Sequence, residues 1–166
     1  MKFKSKSIDV IWPYYKDKKF LETSIKQINE QTLQPKRLIF IDDSNCDKKL
    51  GPYILKKLNK NIKFTIITNK LNYGVTHSIS LGIKRVKAKY LYIQSTDDII
   101  YNNFFELSIA TLERNPKSAY VFSNIGINNL DNNKKYFLDY SFIKKEFINK
   151  FEVGLLYNKY QFKIYH

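Results

Sequence analysis

Leu38-Ile39-Phe40-Ile41-Asp42-Asp43-Ser44-Asn45 is the stretch that decides the fold. Four consecutive apolar residues suit a strand covered on both faces, as in a sheet with helices on each side. The run then stops at residues whose short polar side chains favour Asx turns. Working toward the N-terminus, Ile8 to Trp12 reads as a second buried strand, ended by Pro13. Between the two strands, Phe20, Leu21, Ser24, Ile25 and Ile28 fall on one helical face. That helix is expected to end near Gln31-Thr32, ahead of Pro35.

Working toward the C-terminus, Tyr53 to Leu58 is read as helix after Gly51-Pro52. Ile62, Phe64 and Ile66 alternate with polar residues and predict a strand. Asn69 to Gly74 is a loop, and Val75, Ile79, Ile83 and Val86 recur at helical spacing. Tyr90 to Ile93 is a further strand, running into Gln94-Ser95-Thr96-Asp97-Asp98. Asn103 with Glu106 three residues later has the form of a capping box for a helix to about Arg114. Asn115-Pro116 stops it, and Ala119 to Phe122 reads as a fifth strand. Beyond Asn124 the pattern weakens: Asn128-Asn129 and Asp131-Asn132-Asn133 suggest loops or hairpin turns, and Phe142 to Phe151 a helix. Strands alternating with helices predict an α/β fold, a mostly parallel central sheet flanked by helices and built of right-handed βαβ units.

The bulk numbers agree with one folded domain. The chain has 166 residues, 43% hydrophobic and 27% charged, with 5 Gly and 4 Pro. That composition is globular and neither disordered nor low in complexity. The formal charge is +14, a field that attracts phosphates and anionic surfaces. Short lysine clusters at Lys16–Lys19, Lys84–Lys89 and Lys144-Lys145 contribute to it. A solvated basic face is one reading of that charge, and contact with an anionic membrane or glycan is the other. Nucleic acid is not the expected partner, because the aromatics mostly occupy apparent core positions instead of interleaving with a basic face. Cys46 stands alone, so no intrachain disulfide forms, as expected in a reducing compartment. Met1 to Ser7 is basic without an apolar signal core behind it, and no apolar run reaches the ~20 residues that span a bilayer. The expected location is cytoplasmic, with room for peripheral contact at the inner face of the membrane.

Ligands of open α/β sheets bind beyond the carboxyl ends of the strands. Three strands here end in polar clusters that would converge there: Pro13-Tyr14-Tyr15, Asp42-Asp43 and Thr96-Asp97-Asp98. Asp97-Asp98 suits a hard cation, since Mg²⁺ and Mn²⁺ take carboxylate, phosphate and water oxygens. The same pair could simply cap a turn, and Asx turns account equally well for Asp42-Asp43. Tyr15 could stack on a base or sit at the rim. Asn72-x-Gly74 predicts a tight turn, with glycine allowing positive φ, ahead of a helix N-terminus of the kind that favours phosphate. His77 reads as surface or rim, and Cys46 as an inert loop residue. Neither a Walker A sequence nor Gly-x-Gly-x-x-Gly is present, which argues against P-loop NTPases and classical dehydrogenases.

Taken in order, these pieces resemble family 2 glycosyltransferases. The resemblance rests on Val10-Ile11-Trp12-Pro13-Tyr14-Tyr15-Lys16, on Gln31-Thr32, and on Asp42-Asp43-Ser44-Asn45-Cys46-Asp47. It continues through Asn72-Tyr73-Gly74, Gly82-Ile83, and Asp97-Asp98 followed by a long helix and Asn-Pro. It runs from about Ile8 to Asn124. It implies the A-type glycosyltransferase fold, truncated at the C-terminus. A single domain over 1–166 is expected, with its core at 8–124 and the start of an incomplete acceptor-side region at 125–166. A nucleoside-diphosphate sugar, with uridine the commonest base, would meet Pro13, Tyr15, Asp43, Asn72, Gly74 and Asp97. Mg²⁺ or Mn²⁺ would be held by Asp98 and Asp97, with Asp98 the direct ligand. The implied reaction is an inverting, metal-dependent transfer to a surface polysaccharide or lipid-linked acceptor, in a bacterial cell-envelope setting. The chain departs from the family pattern at three places: Ser95 stands where Asp is usual, Ile79-Ser80 where Arg-Asn is common, and Lys16 where Asn is usual. A Thr-Asp-Asp version of the metal motif occurs in relatives resembling the spore-coat glycosyltransferase. The family's catalytic base usually lies beyond the metal motif. Asp131 and Asp139 are the only aspartates after Asp98, each in a loop-like context, so no base is assigned. A catalytically incomplete nucleotide-binding remnant, or one part of a split transferase, is the alternative. A nucleotidyltransferase is disfavoured, because Pro13-Tyr14-Tyr15 stands where its Gly-rich phosphate loop would begin.

Overall fold

The computed structural model describes residues 8–44, 48–123, 125–128 and 135–138. Four parallel strands form the central sheet: β1 (Ile8–Tyr14), β2 (Arg37–Asp42), β3 (Lys63–Thr68) and β4 (Tyr90–Ile93), in the order β3-β2-β1-β4. The helices are α1 (Leu21–Asn29), α2 (Leu50–Lys57), α3 (Val75–Ile83) and α4 (Phe104–Arg114). The alternating α/β architecture expected from the sequence is therefore present.

Side-chain alternation along β1 and β2 sorts the core into two layers. Val10, Trp12, Leu38 and Phe40 point to one face and pack against Leu21, Ile25 and Ile28 of α1, Ile54 of α2, and Phe105 and Ile109 of α4. Ile11, Ile39 and Ile41 point to the other face with Val86 and Leu91. Gly82 brings α3 down onto that second layer. A Cβ there would lie 2.4 Å from Cγ2 of Ile11 and 3.2 Å from Cδ1 of Ile41.

Three expectations are corrected. β1 does not end before Pro13 but runs through it to Tyr14. The Ile11 carbonyl accepts from Gln94 N–H at 2.8 Å on the β4 side, and the Tyr14 carbonyl accepts from Asp43 N–H at 2.9 Å on the β2 side. Parallel strands alternate in this way, so Pro13 faces the β4 side, beyond the last β1–β4 pair Ile11–Ile93. Its missing N–H costs no ladder bond there. Next, Asn103 makes no side-chain cap on α4. The Glu106 carboxylate accepts instead from the Thr32 hydroxyl at 2.7 Å, and Gln31 Oε1 accepts from Phe105 N–H at 3.1 Å. The cap of α4 comes from the end of α1. Lastly, Ala119 to Phe122 is irregular, with no neighbouring strand among the described residues and Phe122 half exposed. The next strands, β5 (Ile125–Asn128) and β6 (Lys135–Leu138), form an antiparallel pair, consistent with a hairpin in this region. Asn45, Cys46, Asp47, the turn at 129–134 and the expected helix at 142–151 lie outside the described residues.

Candidate nucleotide and metal site

The strand order turns at β1, which has β2 on one side and β4 on the other. β1 runs on to Tyr14, past its last pair with β4 at Ile11–Ile93, and a crevice opens beyond the carboxyl ends of the two strands, the usual ligand side of such sheets. A cleft of about 280 Å³ occupies it, lined by Pro13, Tyr15, Val75, Ser95 and Asp97 among others. Three of the residues singled out from the sequence, Pro13, Tyr15 and Asp97, thus meet at one opening. Tyr15 is half exposed, and its ring has the Lys16 ammonium 5.2 Å from its centroid. Asp17, half-buried, also lines the cleft. Sequence reasoning missed it, although an acid two residues after the strand-end aromatic was the available signal.

The loop that carries Asp97-Asp98 is anchored on both sides. Thr96 is buried, its hydroxyl accepting from Trp12 Nε1 at 3.0 Å and its carbonyl from the Ser24 hydroxyl at 2.6 Å. Beyond the pair, Gln27 Oε1 accepts from Ile100 N–H at 3.0 Å, and Gln31 Nε2 donates to the Tyr101 carbonyl at 2.8 Å. Thr32 N–H donates to the Asn102 carbonyl at 2.7 Å. Ser24, Gln27 and Gln31 follow one another at helical spacing of three and four residues. Polar residues on the buried stripe of an amphipathic helix were the signal for this clamp. Between the anchors Asp97 and Asp98 are exposed. Ser95 donates its hydroxyl hydrogen to Asp97.

Partial desolvation of its carboxylate, in a side chain still open to solvent, pushes the Asp98 pKa above the ordinary carboxylate value, and the neighbouring Asp97 charge adds to the shift. A carboxylate whose charge is disfavoured by its surroundings and by a neighbouring acid presents the electrostatics that a cation relieves. Among the described residues no group of three or more His, Cys, Asp or Glu side chains is placed to hold a metal. The donor set fits a hard divalent ion bound through one or two carboxylates, with diphosphate and water completing its shell. An all-protein cage is not what these residues form.

Asp43, Asn72 and Gly74 form a second cluster, beside the cleft and not in its lining. The buried Asp43 carboxylate accepts from Asn69 Nδ2 at 2.7 Å, Tyr73 N–H at 3.0 Å and Gly74 N–H at 2.8 Å. Asn72 Oδ1 also accepts from Gly74 N–H, at 3.0 Å. Gly74 has φ 85°, the left-handed region that glycine enters freely, and is the N-cap of α3. Asp43 therefore fixes the loop that delivers the α3 N-terminus, with Val75, to the cleft. Asp42 makes the expected Asx turn, accepting from Ser44 N–H at 3.0 Å. His77 is exposed, its ring 4.9 Å from that of Tyr73.

Comparison with known proteins adds to this geometry. The model of the family described as glycosyl transferase family 2 matches residues 9–165. An uncharacterized glycosyltransferase of Haemophilus influenzae is 32% identical over 109 residues, 65% of this chain and 33% of that protein. The glycosyltransferase GlyG of Streptococcus pneumoniae is 26% identical over 102 residues, 61% of this chain and 34% of that protein. Among solved structures, Staphylococcus aureus TarS 1-349 in complex with UDP-GlcNAc superposes with a TM-score of 0.57 at 19% identity. That superposition covers 65% of this chain and 31% of TarS 1-349. The sheet and its helices are thus those of the A-type transferases. The chain spans a third or less of the first curated relatives, 33% of the Haemophilus protein and 20% of a Rickettsia conorii one. Because the family model extends over nearly all of the sequence, this chain belongs to glycosyltransferase family 2.

Proposed function

We propose that the chain forms the donor-binding part of a glycosyltransferase that takes a nucleoside-diphosphate sugar, with uridine as the base. The observation that carries this reading is the cleft between the ends of β1 and β4, where Tyr15 offers a ring face and Asp97, with Asp98 beside it, offers carboxylates. In this reading Tyr15 and Pro13 flank the base, and Asp43 and the Asn72–Gly74 turn shape that wall. The Asp97 side chain, oriented by Ser95, faces the ribose and diphosphate. Asp98 would be the direct ligand of Mg²⁺ or Mn²⁺, and the ion, when bound, would supply positive charge that offsets the diphosphate's. Inversion at the anomeric carbon, and a surface polysaccharide or lipid-linked acceptor in a bacterial envelope, belong to the same proposal. So does a cytoplasmic location with peripheral membrane contact. Among the described residues no helix is long and apolar enough to cross a membrane.

No described residue is assigned as the catalytic base, and the chain covers a third or less of its first relatives. A nucleotide-binding part without turnover of its own, or one part of a split enzyme, is the second reading. Calorimetric titration with UDP, with and without Mn²⁺, on the natural chain and on Asp98→Ala tests the site. Metal-dependent binding that the substitution abolishes is the expected result. Failure of a folded chain to bind UDP or any other nucleoside diphosphate would withdraw the donor-site assignment.

A further inference from the structure

A second groove, about 610 Å³, lies at the other end of the sheet, and its lining is unlike that of the cleft. It carries Arg37, Lys63, Lys84, Arg85 and Lys87, with Phe64 and Thr65 between them and no carboxylate. Arg37 and Lys63 are the first residues of β2 and β3 and face each other in register. At ~3.3 Å per residue, β2 separates this end from its carboxyl end by roughly 16 Å. The other three cations follow α3. Lys84 and Arg85 suit the negative end of that helix, but Lys63 and Lys87 have no such reason to be there.

The groove is shaped by the fold. Arg37 donates from Nη1 to the Arg85 carbonyl at 3.0 Å, which brings two arginines to one wall. Asp9, fully buried beneath the loop, accepts from Lys87 N–H at 2.8 Å and Ala88 N–H at 3.1 Å and so fixes the loop that presents Lys87. On the described surface Lys26 pairs with Glu30, Lys57 with Glu22 and Lys89 with Glu113. None of those pairs involves a cation of the groove. Five like charges around one concavity raise its potential, and an anion with more than one charge lowers it most effectively. Arginine beside lysine suits phosphate oxygens in particular.

We propose that this groove is a second anion site, separate from the donor cleft, that binds phosphate groups. The headgroups of an anionic bilayer and a soluble polyphosphate share that chemistry, and the experiment distinguishes them. The 166-residue chain is sedimented with vesicles of phosphatidylcholine, with or without phosphatidylglycerol, and titrated separately with tripolyphosphate. The same is done with Lys63→Gln/Arg85→Gln/Lys87→Gln and with a control of equal charge loss, Lys26→Gln/Lys56→Gln/Lys117→Gln. All six positions are exposed, so both variants fold. For a bilayer source, the groove variant partitions onto phosphatidylglycerol vesicles on the order of 100-fold more weakly, about tenfold or less per charge. The control loses much less, because distant charges are screened. For a soluble source, tripolyphosphate binding is lost in the groove variant and kept in the control and in Asp98→Ala. Equal losses in the two triple variants, or no binding of either ligand by the natural chain, would overturn the proposal.

Discussion

Gln31→Leu tests whether the clamp from α1 holds the Asp97-Asp98 loop. Leucine nearly matches glutamine in size, so the substitution removes hydrogen bonds without opening a cavity. Gln31 is buried and joins two backbone groups, accepting from Phe105 N–H at 3.1 Å and donating to the Tyr101 carbonyl at 2.8 Å. Phe105 is fully buried, so its orphaned N–H at the start of α4 costs the full desolvation penalty, about 1–3 kcal/mol. Tyr101 is exposed, and water can take over part of its carbonyl's bond. That second loss is about 0.5–1.5 kcal/mol. The sum, roughly 1.5–4.5 kcal/mol, is a large share of the ~5–15 kcal/mol of a typical domain, yet it leaves the chain folded at low temperature. Urea unfolding followed through Trp12 reports it well. Trp12 is the chain's sole tryptophan, and its indole is bonded to Thr96 inside the same network. The midpoint should fall with little change in slope, and UDP–Mn²⁺ binding should weaken as the loop loosens. A shift below about 0.5 kcal/mol, within the usual range for surface substitutions, would show that the clamp contributes nothing and refute the reasoning.

Gly82→Ala gains up to ~1 kcal/mol of helix propensity but drives a Cβ to 2.4 Å from Ile11 Cγ2 in the centre of β1. Overpacking of about 1–3 kcal/mol prevails, and thermal unfolding should show net destabilisation. Lys16 has φ 54°, a left-handed conformation that asparagine tolerates better than lysine. Lys16→Asn should raise the unfolding midpoint, by ~1 kcal/mol or less. Asp98 has a raised pKa, so its stabilising contribution is complete below the ordinary value of 3.8 and is lost as pH rises through the raised value. Asp98→Asn should therefore be at least as stable as the natural chain at pH 7 and lose that advantage at acid pH, as urea midpoints at both values would show. A destabilised Asp98→Asn at pH 7 would mean that the carboxylate is structural.

The strands were legible because burial on both faces writes a continuous apolar run: β2 and β4 were bounded within a residue. Ala119 to Phe122 misled for the same reason. An apolar run meets the composition of a strand, but a ladder needs a neighbour, and none of the described strands pairs with it. The convergence of Pro13, Tyr15 and Asp97 was readable because the carboxyl ends of parallel strands share one edge. What was not readable is how side chains are used across long separations. Asp43 satisfies a backbone turn about 30 residues away, and Asn103-x-x-Glu106 has the letters of a capping box while its glutamate bonds Thr32. In the basic groove, the Lys84–Lys89 cluster was visible, but only strand register adds Arg37 and Lys63 to it.

Gln31-Thr32 illustrates how a short motif acquires physical content. In the sequence it is merely the end of a helix. In the fold, Gln31 caps α4 and holds Tyr101, while Thr32 takes Asn102 through its N–H and Glu106 through its hydroxyl. With Ser24 on Thr96 and Gln27 on Ile100, one edge of α1 and the turn that follows it span the whole segment from before Asp97 to the start of α4. A loop with two adjacent exposed carboxylates gains nothing from their mutual repulsion, so its geometry must be imposed from outside. The polar stripe of α1 imposes it. The substitutions that separate scaffold from ligand chemistry are therefore on different elements: Gln31→Leu should cost stability first and binding second, whereas Asp98→Asn should cost binding without stability.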